Sequence, residues 1–214
     1  MKQVSNTIYQ LMQRTAKHIG LQRTGPRISD IRQGAGAGLH FGYAADTASY
    51  VAGSNEWPVQ EALANHLAQG DIFYDIGANV GFFTVIGAKL VGPQGHVFAF
   101  EPVASNLVRL QQNVASNGFG NVTPMATAVA DQSGIGTLTL TEHIGGATLA
   151  GIDLPPDATT TVEIELVTID QLIQSGQIAP PDVVKIDVEG AELAVLQGMQ
   201  ATIEQFKPII LWEV

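Results

Sequence analysis

The stretch from Asp71 to Thr84 constrains the fold more than any other part of the chain. An apolar run ends in Asp75, a turn with Gly77 and Gly81 follows, and an apolar segment typical of a helix start comes next. Glycine lets the backbone turn sharply and approach a ligand without a Cβ, and a helix N-terminus presents unpaired N–H groups. The stretch therefore predicts a strand, a tight loop and a helix that together bind a polar ligand.

The spacing within this loop argues against a dinucleotide. A dinucleotide fingerprint requires G-x-G-x-x-G after the strand, whereas this chain has Asp75-x-Gly77-x-Asn79-x-Gly81. An acid is unfavourable beside a pyrophosphate and favourable beside a cationic group, such as the amino group of an amino acid.

A second predicted strand, His96 to Phe100, ends at Glu101. A carboxylate in this position is placed to accept hydrogen bonds from both hydroxyls of a ribose. A ligand that combines an amino-acid group with a ribose suggests S-adenosylmethionine, so the ends of the two strands together favour this cofactor.

Several separate stretches resemble the FkbM-like family of S-adenosylmethionine-dependent methyltransferases. Residues 75–81 and 97–106 (VFAFEPVASN) are similar to its first and second cofactor motifs, and residues 50–56 (YVAGSNE) resemble its lead-in segment. Residues 183–198 (VVKIDVEGAELAVLQG) are similar to the family's most distinctive segment. The resemblance extends over residues 50–213, and KIDVEGAE is its most specific part because many methyltransferases share the other motifs.

The resemblance implies a Rossmann-like class I methyltransferase that methylates a hydroxyl of a sugar, a glycan or a natural product. From the motifs and the strand ends together, the residues expected to bind the cofactor are Glu56, Asp75, Gly77, Asn79, Gly81, Phe82, Glu101, Pro102, Asn106 and Asp131.

Three residues are candidates for the chemistry. Methyl transfer is an in-line displacement that depends on alignment in a desolvated pocket, and a hydroxyl acceptor also needs its proton removed by a carboxylate or a histidine. Asp187 is the first candidate, Glu189 the second, and His143, in a predicted flap, the third, with a surface histidine as its alternative reading. Asp187 and Glu189 could also share a divalent ion, but no further ligand lies nearby in the sequence, so we predict no metal site.

Composition limits the class of protein. The 214 residues suffice for one domain with a full core, and 45% apolar with only 14% charged residues indicates extensive buried sheet. The net charge of −10 and the scattered basic residues disfavour a nucleic-acid substrate. The chain has no cysteine, which excludes disulfides and thiolate metal sites.

We expect residues 1–56 to form an N-terminal helix and lead-in segment, and residues 57–214 to form the methyltransferase domain. Apolar residues at helical spacing predict an amphipathic helix over residues 4–19. The chain has neither the apolar core of a signal peptide near its start nor a stretch of the ~18 apolar residues that a membrane span needs. These features predict a cytoplasmic protein.

The remaining pattern predicts a doubly wound, mostly parallel sheet. Strands at 71–76, 96–101, 122–130, 183–187 and 208–214 alternate with helices at 57–68, 80–90, 103–117, 169–175 and 191–206. The alternation breaks at two Thr/Val-rich stretches, 135–141 and 161–167, which predict an inserted antiparallel pair in a substrate-facing flap. The glycines at 34, 36 and 38 predict a flexible connection.

Five acids follow or end the predicted strands, and ligands of such sheets bind at the carboxyl ends of the strands. We therefore expect one acidic rim made of Asp75, Glu101, Asp131, Asp187 and Glu213. For Asp131 and Asp187 the alternative is an ordinary helix cap or a solvated loop end.

The segment Pro208 to Val214 is an apolar strand with no turn after it. Methyltransferases of the resembled family usually add two strands beyond the fifth, so the C-terminal strands are expected to be missing. The fifth strand would then be a sheet edge, which a second subunit of a homodimer or the helix at residues 4–19 could cover. A fragment or an unusually short member is favoured over a specific dimer.

Two other functions remain open at this point. One is an NAD-dependent oxidoreductase on a related Rossmann fold, which the missing third glycine and Asp75 disfavour. The other is a non-catalytic, cofactor-binding subunit. The methyl acceptor itself has no recognisable signature in the sequence.

Overall fold

The computed structural model of the protein describes residues 27–43, 48–141, 147–149 and 158–212. The predicted helix at residues 4–19, His143 and Glu213 lie outside these residues.

Strands and helices alternate along most of the described chain. The strands are β1 (Arg27–Asp30), β2 (His40–Tyr43), β3 (Ile72–Ile76), β4 (His96–Phe100), β5 (Val122–Met125), β6 (Ala128–Val129), β7 (Gly134–Thr141), β8 (Ala147–Leu149), β9 (Ala158–Val167), β10 (Val183–Ile186) and β11 (Ile209–Trp212). The helices are α1 (Ala48–Ala52), α2 (Trp57–His66), α3 (Phe82–Val91), α4 (Ala104–Ser116), α5 (Ile169–Gln174), α6 (Glu192–Gln197) and α7 (Gln200–Phe206). Within the described ranges, no helix has the length and apolar character needed to cross a membrane.

The main sheet is parallel and has five strands in the order β11-β10-β3-β4-β5. The chain builds outward from β3 through β4 to β5 and then returns to the other side of β3 with β10. The strand order therefore reverses between β3 and β10, where ligands bind at the carboxyl ends of the strands in folds of this type. The predicted doubly wound α/β fold is confirmed.

Helices cover both faces of this sheet because side chains alternate along each strand. In β3, Phe73 packs with α2, α3 and α4 in one apolar core. The next residue, Tyr74, packs with α5, α6 and α7 in the other. Both side chains are fully buried, so β3 is the shared centre of the two cores.

The predicted antiparallel insertion is also confirmed. Strands β7 and β9 pair antiparallel from Gly134 with Leu166 to Thr141 with Ala158, and β8 extends this pair on the β7 side. Strand β6 pairs with the other edge of β9, which gives a second sheet in the order β6-β9-β7-β8.

The single strand predicted over residues 122–130 is wrong, because the structure divides it between the two sheets. Strand β5 lies at the edge of the main sheet and β6 belongs to the second sheet. Pro124 lies within β5. Proline lacks the N–H that a central strand needs, so it restricts this segment to an edge, and the chain leaves the main sheet directly afterwards.

The helix predicted over residues 191–206 is interrupted between α6 and α7. At the break, a Cβ on Gly198 would lie 1.9 Å from the carbonyl oxygen of Ala130, so only glycine allows this approach. The carbonyl of Gly198 accepts a hydrogen bond from the backbone N–H of Asp170 at 3.1 Å. The break therefore lets the segment between α6 and α7 pack against the residue after β6 and against α5.

The glycine-rich stretch at 34–38 is a hydrogen-bonded hairpin turn between β1 and β2 rather than a flexible connection. The N–H of Gly38 donates to Ile31 O at 2.9 Å, and the N–H of Ile31 donates to Leu39 O at 2.8 Å. Ile31 and the β2 residue Phe41 are buried in the core that contains α3. The hairpin therefore packs on the main sheet and helps to hold α1 beside the loop after β3.

Within the described residues, β11 pairs only with β10 and forms one edge of the main sheet. Ile209 and Trp212 are 41% and 52% exposed. The edge position expected for the fifth strand is therefore observed.

Gly77, directly after β3, makes a close contact with the residue that follows β10. Its φ is +77°, and a Cβ there would lie 1.8 Å from the carbonyl oxygen of Asp187. Gly118 has a similar φ of +67°, but no atom lies within 4 Å of the position its Cβ would take. Substitution of Gly118 therefore tests the cost of the left-handed backbone alone, whereas substitution of Gly77 adds the cost of the close contact with Asp187.

We predict that Gly118→Ala lowers the free energy of unfolding by roughly 1–2 kcal/mol, the cost of a left-handed L-residue. Gly77→Ala is expected to lower it by more, because Asp187 and the loop must also move apart. Chemical denaturation of both variants measures the difference. Equal losses would contradict the close contact between β3 and β10.

Candidate active site

The loop after β3 is fixed against the end of β4. The N–H groups of Gly77 and Ala78 both donate to Phe100 O, at 3.1 and 3.0 Å. The N–H of Asn79, which has a φ of +49°, donates to Glu101 Oε2 at 2.8 Å. These hydrogen bonds fix the loop at the carboxyl end of the sheet. They also occupy the N–H groups to which a phosphate would otherwise bind.

Glu101 is the polar group at the end of β4. It is 5% exposed, and besides the bond from Asn79 it accepts hydrogen bonds from the N–H of Val103 at 2.8 Å and from Asn106 Nδ2 at 3.4 Å. Burial raises the pKa of Glu101 above its ordinary value of 4.5, and the two backbone hydrogen bonds oppose this rise. The two oxygens of a carboxylate offer about four acceptor positions, so Glu101 retains capacity for ligand hydroxyls.

A cleft of about 250 Å³ lies at the carboxyl edge of the main sheet, beside Glu101. The predicted site residues that line this cleft are Glu56, Gly77, Asn79, Glu101, Pro102, Asn106, Asp187 and Glu189. The structure thus brings together residues from the segment before α2, the loop after β3, the end of β4 and the end of β10.

Asp75 is not among the residues that line the cleft. It is fully buried, and its Oδ2 accepts the hydroxyl hydrogen of Thr84 on α3. The alternation of β3 directs this carboxyl into the layer below the loop, so its expected contact with a ligand has no support in the cleft lining. Burial raises the pKa of Asp75, and the nearby Lys185 ammonium partly offsets the rise.

Three other predicted cofactor residues also lie outside the cleft lining. Gly81 precedes α3 and packs against Leu110, and Phe82 stacks on Tyr50 with ring centroids 4.9 Å apart. Asp131 is exposed and follows β6, which belongs to the second sheet. Of the acids expected to form one acidic rim at the strand ends, only Glu101 and Asp187 line the cleft in the described part of the chain.

Sequence reasoning did not single out several residues that line the cleft. They are Tyr50 on α1, Thr127 and Val129 near β6, and Leu138 on β7. Thr127 Oγ1 and Asn79 Oδ1 are buried and have no hydrogen-bond partner among the residues the structure describes. Such atoms are costly unless something polar satisfies them, so they indicate a polar ligand.

Lys185 was also not identified as a site residue, although it lies in the most distinctive motif. It is 3% exposed, and its Nζ donates to Asp187 Oδ2 at 2.8 Å. The same Nζ lies 3.8 Å from Asp75 Oδ1 and 4.9 Å from the centre of the Phe83 ring. A lysine in the apolar strand VVKI was itself a signal, because a buried charge requires a partner.

No group of three or more His, Cys, Asp or Glu side chains in the described segments is arranged to hold a metal ion.

The parallel sheet with its reversal of strand order and the cleft at its carboxyl edge define a Rossmann-like α/β fold with a ligand site at the strand ends. Residues 75–214 match the family model of the methyltransferase FkbM domain, and the chain belongs to this family.

Individual relatives are more distant. The chain is 28% identical, over 73% of its length, to the hexuronic acid methyltransferase AglP of Haloferax volcanii. It is 27% identical, over 63% of its length, to the 31-O-demethyl-FK506 methyltransferase FkbM of Streptomyces tacrolimicus. The match spans 61% of the length of each of these relatives. A methyltransferase FkbM structure from Methylobacillus flagellatus KT is 21% identical, with a TM-score of 0.46 over 67% of this chain and 32% of that one.

We predict that affinity for S-adenosylhomocysteine falls on acidification, beginning above the ordinary pKa of a glutamate. The ionised form of Glu101 only accepts hydrogen bonds, and protonation replaces one of its acceptor positions by a donor. Because burial raises the pKa of Glu101, this loss occurs at a higher pH than for an exposed glutamate.

Calorimetric titrations from neutral to acidic pH test this, with Glu101→Ala as the reference. The variant is expected to bind more weakly by roughly 1–3 kcal/mol at neutral pH and to lose part of the pH dependence. An identical pH profile in parent and variant would remove Glu101 from the binding site.

Proposed function

We propose that the protein is an S-adenosylmethionine-dependent O-methyltransferase that methylates a hydroxyl of a sugar, a glycan or a natural product. One observation carries this proposal: Glu101 at the end of β4 and the two acids Asp187 and Glu189 after β10 line the same cleft. The first suits a ribose, and the other two suit an acceptor hydroxyl. Residues 57–214 carry this domain in our proposal, and its proposed location is cytoplasmic, where the cofactor would be available.

The residues of the cleft fit the cofactor. Glu101 has remaining acceptor capacity on Oε2 for a ribose hydroxyl, and the buried oxygens of Asn79 and Thr127, which have no hydrogen-bond partner in the described part of the chain, fit additional polar groups of a ligand. When bound, S-adenosylmethionine supplies an electrophilic methyl group on a positively charged sulfur. The apolar side chains of Val129 and Leu138 line the same cleft and would limit the access of water.

Asp187 is the proposed residue that orients the acceptor hydroxyl and receives its proton. Its side chain is 30% exposed, and Lys185 holds Oδ2. The second oxygen, Oδ1, is the proposed proton acceptor. Glu189 is exposed and lines the same cleft, and it is the alternative base.

The proposed acceptor class is supported by the two relatives, one named for a hexuronic acid and the other for 31-O-demethyl-FK506. The proposal of a hydroxyl acceptor rests on these names together with the paired acids of the cleft. His143 lies outside the described residues and stays a predicted catalytic residue.

The alternative of an NAD-dependent oxidoreductase is disfavoured by the loop after β3. Its N–H groups at Gly77 and Ala78 donate to Phe100, and that at Asn79 donates to Glu101, so these three do not serve a pyrophosphate. Binding of S-adenosylhomocysteine with no binding of NAD supports the proposal, and the reverse result overturns it.

For the chemical step we predict that Asp187→Asn reduces turnover by about 100-fold or more, because the amide keeps the shape but cannot take a proton. The assay follows transfer of a labelled methyl group from S-adenosylmethionine to neutral sugars, hexuronic acids and macrolide alcohols. Melting temperature and affinity for S-adenosylhomocysteine should stay close to those of the parent.

Glu61→Gln is the matched control, because Glu61 is an exposed acid on α2 and lies outside the cleft lining. It should leave turnover unchanged. Equal effects of the two substitutions, or equal loss of activity and stability in Asp187→Asn, would show that Asp187 has only a structural role. A chain that binds the cofactor yet methylates no hydroxyl compound would instead support the non-catalytic subunit.

A further inference from the structure

Three charged side chains form a continuous array under the cleft: Asp75, Lys185 and Asp187. Lys185 Nζ is 2.8 Å from Asp187 Oδ2 and 3.8 Å from Asp75 Oδ1. The array begins in the core between β3 and α3 and ends at the cleft.

The inner end of the array is fixed. Asp75 and Lys185 are paired residues of neighbouring strands, and both side chains are buried. Asp75 is held by Thr84, and the ammonium of Lys185 lies over the Phe83 ring. Separating a buried cation from its carboxylate is costly, so the Lys185 ammonium has little freedom to move.

The outer end of the array faces a place where a cation would be attracted. Asp187 lines both the main cleft and a small adjoining recess of about 30 Å³. Glu56 and Asn79 line the same two spaces, and the side-chain amide oxygen of Asn79 is buried. A positive group here is close to two carboxylates, of which one is directly held by Lys185.

We propose that Lys185 is a positioning residue, which holds the Asp187 carboxylate at the cleft so that the site binds a positively charged ligand in preference to a neutral ligand of similar shape. This inference rests on the proposed function, because the cofactor carries a positive sulfonium and its product, S-adenosylhomocysteine, carries a neutral thioether. The preference would favour the exchange of product for fresh cofactor.

Lys185 acts through position rather than through its own field. Lys185 lines the small recess but not the main cleft, and its positive charge is balanced by the fully buried Asp75, so the pair contributes little net charge to either space. Without the 2.8 Å hydrogen bond from Lys185, the partly exposed Asp187 carboxylate would be free to turn toward water. In a variant that loses Lys185 and Asp75 together, the site would lose its preference even though the net charge of the array is unchanged.

The test compares two stable ligands that cannot transfer a methyl group. They are S-adenosylhomocysteine and sinefungin, in which a carbon bearing an ammonium group replaces the methylated sulfur. Calorimetry gives the ratio of the dissociation constant of S-adenosylhomocysteine to that of sinefungin. A general structural disturbance weakens both ligands and cancels in this ratio.

We expect Asp187→Asn to lower the ratio by about tenfold, a modest part of what one charge pair near a protein surface supplies. The double variant Asp75→Asn with Lys185→Met removes one charge of each sign and should lower the ratio severalfold. Adding it to Asp187→Asn should have little further effect, because the double variant keeps the net charge and no carboxylate remains at position 187 to be positioned. Glu61→Gln, an equal change of charge at an exposed acid of α2 outside the lining of both spaces, should leave the ratio unchanged.

An unchanged ratio in Asp187→Asn would overturn the cation site, and an unchanged ratio in the double variant would overturn the positioning role of Lys185. If the double variant does not fold, Lys185→Met alone gives the test. Loss of the positive charge by itself would raise the ratio, so a fall in the ratio supports the positioning role, and a rise or no change overturns it. A parent protein that binds neither ligand would refute the proposed function, whereas binding of both with equal affinity would refute only this inference.

Discussion

The structure depends on the close approach of the Gly77 backbone to the carbonyl of Asp187, where a Cβ would lie only 1.8 Å from the oxygen. This contact joins the loop after β3 to the end of β10 at the point where the strand order reverses. Because the same loop donates its next N–H groups to Phe100 and Glu101, the ends of three strands are fixed relative to one another. The acid after β4 and the acids after β10 thereby face one cleft.

Burial determines how the acids of this region behave. Desolvation raises the pKa of both Asp75 and Glu101, and each is stabilised in its ionised form by particular neighbours: Lys185 and Thr84 for Asp75, and backbone N–H groups for Glu101. The two acids differ in what they face. Glu101 lines the cleft, whereas Asp75 faces Lys185 and α3, so Asp75 contributes to the site by holding a cation that in turn holds Asp187.

The main sheet could be predicted from the sequence because its strands are short apolar runs that end in an acid or a glycine loop. Glu101 and Asp187 were correctly expected at the carboxyl edge, since each directly follows its strand. The same argument is not sufficient for Asp75, which lies inside β3 and not after it. There the alternation of side chains decides whether a carboxyl group faces the cleft or the core. Pro124 indicates that its strand lies at an edge of the sheet, which the prediction of one continuous strand over residues 122–130 did not take into account.

The other residues of the cleft could not be predicted, because their positions depend on contacts distant in sequence. Tyr50 reaches the cleft through the packing of α1 beside the loop after β3, and Leu138 reaches it from the second sheet. No local pattern distinguishes such residues from ordinary core. The buried Lys185 is different, because a lone charge in an apolar strand predicts a partner, although not which acid provides it.

The most direct measurement is an experimental structure of the protein with S-adenosylhomocysteine bound. Our account predicts that the ribose hydroxyls lie within hydrogen-bond distance of Glu101, that the sulfur lies in the part of the cleft beside Asp187, and that Asp75 makes no direct contact with the ligand. A ligand bound outside this cleft, or a ribose far from Glu101, would contradict the account.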